Sequence, residues 1–94
     1  MQFRDNYQYA YISSATTTQV DSGQGQLIRI VLGETAGGAI DIIDNTTGTT
    51  VNLASLKASI AEGVYEFNVQ YKTGLRIITA GASKLTVVYS PIGG

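Results

Sequence analysis

The chain has 94 residues; 44% are apolar, 14% are charged, none is cysteine or histidine, and the formal net charge is −1. This length accommodates one folded domain, residues 1–94, and excludes two. The missing cysteines exclude disulfides and thiolate chemistry, and the missing histidines remove the commonest general base and metal ligand. The six scattered Lys and Arg residues offer no clustered basic face for nucleic acid, so no nucleic-acid partner is expected.

The charged fraction of 14% is well below the ~25% of ordinary soluble domains. A small domain with so few charges exposes much uncharged surface, which favours self-association or burial in an assembly. The alternative is a monomer coated with Thr, Ser and Gly. No apolar run approaches the ~20 residues that span a bilayer, and the first residues lack a signal-peptide pattern, so no membrane partner is expected.

Tyrosines dominate the first predicted strand, Phe3–Ser13. Tyr7, Tyr9 and Tyr11 fall on one face of it, because side chains repeat every two residues along a strand. They can pack on the core with their hydroxyls at its rim, form a stacking platform for sugars or bases, or make a subunit contact, where aromatic residues are enriched.

Three further strands are predicted before the middle of the chain. The stretch Ala15–Ser22 is rich in threonine but weakly apolar, which indicates an edge or outer strand. Residues 26–32 are apolar on both faces: Ile28, Ile30 and Leu32 alternate with Leu27, Arg29 and Val31. One face meets the core, and the other is covered by loops or by another subunit. Ala39–Asp44 is the third strand.

A hairpin is predicted next, with Asn45–Gly48 as its turn and Thr49–Leu53 as its returning strand. The following stretch, Ala54–Glu62, is either a short helical turn or an irregular crossover. In both cases Leu56 and Ile60 are expected to enter the core.

The last third of the chain carries the clearest strand signal. Val64–Tyr71 alternates between apolar and polar residues, Lys72–Gly74 is a turn, and Leu75–Ala80 is a second apolar run. After another turn, Leu85–Ser90 alternates again until the proline that follows ends the ladder.

About eight short strands with no long helix predict an all-β fold: an antiparallel β-sandwich, jelly-roll-like, with a barrel as the alternative. The expected core residues are Ile28, Ile30, Leu32, Ile40, Ile42, Phe67, Val69, Ile77, Leu85 and Val87. With no disulfide or metal to help, oligomerisation is a plausible source of additional stability.

No constellation of residues predicts catalysis, so the chain is expected not to be an enzyme and to have no catalytic, cofactor-binding or metal-binding residues. The closest carboxylate pair is Asp41 and Asp44, whose odd spacing on an extended strand puts them on opposite faces. Calcium at Asp44 and Asn45 is conceivable, but the turn lacks the dense acidic loop of tight calcium sites.

Several motifs resemble small virion proteins of tailed bacteriophages: GQLIRIVLG, AIDIIDNTTGTTV and EGVYEFNVQYKTGLRIITAGASKLTVVYS. The corresponding elements are Asp44–Thr46, Gly63–Val69, Gly74–Thr79 and Thr86–Tyr89. The resemblance spans most of residues 7–90, and its motifs are structural. It implies a non-enzymatic building block of a virus particle and carries over no catalytic residue.

The leading hypothesis is a capsid decoration (cement) protein that binds the outer surface of a phage head as a homo-oligomer, with a trimer as a candidate state. Its partner would be the major capsid protein, and its location the surface of the capsid in the virion. The candidate contact residues are Tyr7, Tyr9, Tyr11, Leu27, Val31, Ile43, Ile78 and Val88. The alternatives are a tail- or fibre-associated module of the same fold, and a carbohydrate-binding β-sandwich that uses the three tyrosines.

Overall fold

The computed structural model describes residues 7–35, 37–48 and 50–91. Residues 3–6 of the predicted first strand, and Thr49 of the predicted hairpin, lie outside this part of the chain. The strands are β1 (Gln8–Ile12), β2 (Thr17–Ser22), β3 (Gly25–Glu34), β4 (Ile40–Ile43), β5 (Asn52–Leu56), β6 (Gly63–Tyr71), β7 (Gly74–Thr79) and β8 (Lys84–Pro91). Among the described residues, no helix is long and apolar enough to cross a membrane.

The eight strands form two four-stranded antiparallel sheets. The order is β1-β8-β3-β6 in the first sheet and β2-β7-β4-β5 in the second. Every connection except the one from β4 to β5 crosses from one sheet to the other. The predicted all-β antiparallel fold is therefore confirmed, and this strand order agrees with a jelly-roll-like arrangement.

The core lies between the two sheets, because both contribute their inward-facing side chains to one buried cluster. Eight of the ten predicted core residues are buried: Ile28, Ile30, Leu32, Ile40, Ile42, Ile77, Leu85 and Val87. Phe67 and Val69 are only half-buried and pack against the cluster from β6. That strand is an edge of its sheet, so no neighbouring strand covers the far side of these two residues.

A β-bulge in the middle of β3 corrects the prediction for Leu27. Between Leu27 and Arg29, β3 advances two residues while its partner β8 advances one, from Tyr89 to Val88. The extra residue changes the face on which the following side chains lie. As a result Leu27 and Ile28 are both buried, and Leu27 cannot serve as an outward contact.

Ile43 is also buried, with 1% of its surface exposed, so its prediction as an outward contact is wrong. It is paired with Arg76 and Asn52 on neighbouring strands. The loop after β4 folds back beside it: Asp44 N donates to Val51 O (2.8 Å), and Arg76 Nη1 donates to Thr46 O (3.1 Å). The alternation of residues along a strand cannot predict this burial, because the loop after β4 and not a neighbouring strand covers Ile43.

The predicted hairpin is present, because the consecutive strands β4 and β5 pair antiparallel, but its returning strand is Asn52–Leu56 and not Thr49–Leu53. β5 extends through Leu56, and only a single turn at residues 58–59 follows it. The predicted destinations of the two apolar side chains are confirmed, since Leu56 is in the core and Ile60 packs against it. The irregular crossover is therefore the correct alternative.

Three of the four edge strands carry an extra residue relative to their neighbour. The registers place it at Val20 on β2, at Leu53 on β5, and within residues 67–68 of β6. The fourth edge strand, β1, pairs with β8 over five consecutive residues, from Gln8↔Tyr89 to Ile12↔Leu85, without a shift. β1 is thus the regular edge of the sandwich.

Candidate interaction face

The outer face of the first sheet carries two rows of side chains that cross all four strands. One row consists of Tyr9, Val88, Arg29 and Glu66, and the next consists of Tyr11, Thr86, Val31 and Val64. We call these eight residues the outer face. The rows arise because strand alternation sends every second residue outward, and the pairing register aligns those residues across the sheet.

The outer face exposes large apolar side chains to solvent. Tyr9 is 73% exposed, Tyr11 is 59% exposed and Val64 is 56% exposed. Val31 and Val88 lie half-buried between them. An aromatic and aliphatic patch of this kind, on a chain with few charges, has the composition of an interaction surface.

The charged side chains on and beside the outer face form ion pairs with one another. Arg29 Nε lies 3.0 Å from Glu66 Oε2, and Lys84 Nζ lies 3.1 Å from Glu34 Oε1. The nearby Glu34 carboxylate raises the pKa of Lys84, with a smaller contribution from Tyr11. These pairs leave the patch with little net charge.

An open groove lies at one end of this face. Its volume is about 510 Å³, and its lining residues are Tyr11, Val31, Gly33, Glu34, Glu62, Lys84 and Thr86. The Tyr11 ring and the Val31 side chain supply apolar surface, while the Glu34 and Glu62 carboxylates supply hydrogen-bond acceptors. Glu62 Oε2 already accepts a bond from Thr35 N (3.2 Å).

The structure gathers half of the predicted contact residues on this one face: Tyr9, Tyr11, Val31 and Val88. Tyr7 lies two residues before Tyr9 and is also exposed (51%). Ile78 is half-buried on the second sheet, where it pairs with Thr17 and Asp41. Leu27 and Ile43 are buried, as described above.

Val64 is the exposed apolar residue of this face that the sequence reasoning missed. It starts the outward-facing side of β6, on which Glu66 and other polar residues follow. The outward position of Val64 could have been predicted, because it lies two residues before Glu66 and therefore on the same side of the strand. Its alignment with Tyr11 depends on β8 and β3 lying between them, which only the sheet order shows.

Asp44 has a structural role at the end of β4. Its Oδ2 accepts a hydrogen bond from Lys72 N (2.8 Å), and its Oδ1 accepts bonds from Thr73 N (2.8 Å) and Gly74 N (3.2 Å). Burial acts to raise the pKa of Asp44, but the three amide donors outweigh it and hold the pKa below its usual value. Asp41 has a separate partner, the Ser55 hydroxyl at 2.9 Å. Each of the two carboxylates is therefore held by its own hydrogen-bond partners.

A second buried polar contact joins β6 to β2. The Tyr71 hydroxyl donates to Asp21 Oδ2 at 2.5 Å, and burial together with this carboxylate raises the pKa of Tyr71 far above its usual range. A side chain at Gly25 would overlap the Tyr71 ring, so glycine is required there. The hydrogen bonds of Asp44 and Tyr71 therefore satisfy polar groups that the fold buries.

No protein-family model and no curated protein sequence match the chain. Among solved structures, the fold is similar to that of the Drosophila NLP core, which was studied for pentamer formation and histone binding. The TM-score is 0.60 at 15% sequence identity, and the match covers 90% of this chain and 96% of that one. At this identity the likeness shows the fold alone.

Proposed function

We propose that the chain is a non-enzymatic structural protein of a tailed-phage virion: a capsid decoration protein that binds the outer surface of the head as an oligomer. The observation that carries this proposal is the outer face, where Tyr9, Tyr11 and Val64 are each more than half exposed. The low charged fraction of 14% and the resemblance of the strand motifs to small virion proteins support it.

A binding assay with expanded phage heads that lack the protein tests this function. The purified chain is expected to co-sediment with heads built from the major capsid protein and to saturate at a fixed copy number per head. The double substitution Tyr9→Ser and Tyr11→Ser is expected to weaken this binding at least about tenfold, because aromatic anchors dominate protein interfaces. The matched control is Val51→Ser, which changes an equally exposed apolar residue (60%) outside the outer face.

Two results would contradict head decoration. If the wild-type chain does not co-sediment at saturating concentration, the proposal fails. If it binds purified tails instead of heads, the tail- or fibre-associated alternative replaces it.

The groove favours one second candidate, a carbohydrate-binding module. An exposed tyrosine ring beside two carboxylates can stack on a sugar face and accept bonds from its hydroxyls. Specific hits on a glycan array that disappear in Tyr11→Ala but persist in Val51→Ala would support this candidate. An array without such hits would remove it.

A further inference from the structure

The four sheet edges of the sandwich differ in how well they are protected from pairing with another chain. An edge strand presents unpaired N–H and C=O groups, and proteins commonly block it with a bulge, a charged side chain or a proline. β2, β5 and β6 each carry a bulge. β1 has none: its register with β8 is unbroken, and its sequence QYAYI has no charge and no proline.

From this difference we propose that β1 is a docking edge for a second copy of this chain, and that two β1 strands pair antiparallel about a two-fold axis. The pairing would join two first sheets into one continuous eight-stranded sheet. This inference deepens the proposed function by naming the surface through which two copies meet. Its test uses the purified chain alone, so its failure is distinguishable from a failure to bind phage heads.

The side chains of β1 are compatible with self-pairing. A two-fold axis brings each residue near a residue of the same strand, so a charged strand would meet like charge. β1 has no charged residue, and the charged residue on the neighbouring strand β8, Lys84, forms an ion pair with Glu34 and is therefore compensated. A second copy is therefore the occupant that this edge fits.

Full overlap of the two five-residue strands fixes one register. Ala10 lies opposite Ala10 of the second copy, and each Tyr9 lies opposite a Tyr11. Residues directly opposite in neighbouring strands share a face, so the four tyrosines form one cluster on the extended outer face. Tyr9 and Tyr11, now 73% and 59% exposed, would contact each other side by side and keep their outward sides on the outer face.

The area involved sets the expected strength of the pairing. Four tyrosines at about 150–250 Å² each could bury at most roughly 600–1,000 Å² in total, and less here because both are already partly buried. This is below the ~1,200 Å² lower limit of stable interfaces and corresponds to a weak, concentration-dependent dimer. On a particle with many copies, even a weak pairing gains avidity.

Light scattering and sedimentation over a concentration series provide the first test. The wild-type chain is expected to dimerise, and Tyr9→Lys is expected to weaken the dimer at least about tenfold, since each subunit pair loses two tyrosine contacts and gains two edge lysines. The matched control is Val64→Lys, at the opposite edge of the same outer face with similar exposure. It should leave the dimer unchanged, and circular dichroism confirms the fold of each variant.

A mixing experiment tests the register. Tyr9→Lys mixed with Tyr11→Glu is expected to recover a heterodimer, because lysine and glutamate then lie opposite each other. Tyr9→Lys mixed with Tyr9→Glu is not expected to recover it. Hydrogen exchange adds a direct readout: the alternate β1 amides that point away from β8 should become protected as the dimer forms.

Three results would overturn the proposal. The first is a wild-type chain that stays monomeric at about 1 mM, a concentration at which a dimer with a Kd of about 1 mM or tighter is substantially populated. The second is an oligomer in which β1 amides exchange as fast as in the monomer, as in a ring or a face-to-face stack. The third is equal weakening by Tyr9→Lys and Val64→Lys, which would assign the contact to the sheet face and not to its edge.

Discussion

The two sheets of this protein differ in the kind of side chain that they present on the side away from the core. On the first sheet, the outer face leaves tyrosine and valine side chains in solvent, and its charges form exposed pairs. On the second sheet, polar side chains bond to each other and to nearby backbone: Arg76 Nη1 donates to Gln19 Oε1 (2.8 Å), and Gln19 Nε2 donates to three carbonyl oxygens.

This contrast predicts which substitutions change the stability of the fold and which change association with a partner. Polar groups that are partly buried contribute to stability when their hydrogen bonds are satisfied, and removing one partner leaves the others unpaired. Apolar groups in solvent contribute little to the folded state, since they are exposed before and after folding. Substitutions on the second sheet should therefore affect folding, and those on the first sheet should affect association.

The largest expected effect is at Asp44, which closes the β6–β7 turn against the end of β4. Asp44→Ala leaves three backbone amides without their acceptor and is expected to lower the free energy of unfolding by about 3 kcal/mol. Urea denaturation measures it. Asp41→Ala, which loses one exposed bond to Ser55, is the control and should cost under about 1 kcal/mol. Equal losses in the two variants would contradict this role.

Acidification should remove much of the same stabilisation. Because the folded-state pKa of Asp44 lies below its usual value of 3.8, the ionised carboxylate stabilises the fold above that pH, and this contribution is lost as the pH falls through the lower folded-state pKa. The stability difference between wild type and Asp44→Asn should be constant from pH 5 to 7 and shrink below about pH 3.8. A difference that persists unchanged at pH 2 would contradict it.

The two arginines at the sheet centres give a smaller and more direct comparison. Arg76→Met removes bonds to Gln19 and to Thr46 O and is expected to cost about 1–2 kcal/mol. Arg29→Met removes an exposed pair with Glu66 and is expected to change stability by less than about 0.5 kcal/mol. Thermal denaturation of both variants under the same conditions measures the difference. A larger loss of stability in Arg29→Met than in Arg76→Met would contradict the difference between the two sheets.

Much of the fold was predictable because alternation is a local property of the chain. The stretches around Ile30, Ile77 and Val87 repeat with the period of a strand, and their inward residues are buried as expected. The predictions for Leu27 and Ile43 failed for non-local reasons: a bulge changes parity in β3, and a loop covers the end of β4. The candidate face was half predictable, since the tyrosines stand out while their alignment with Val64 requires the sheet order.

The sequence by itself determined the strands, most of the core and the presence of surplus apolar residues on outward positions. It could do so because hydrophobic periodicity and turn residues act over a few positions. Only the tertiary structure decided which outward residues are exposed together and which edge remains regular. Those properties depend on strand order, register and loop cover, which join residues far apart in the chain, as β1 and β8 are joined.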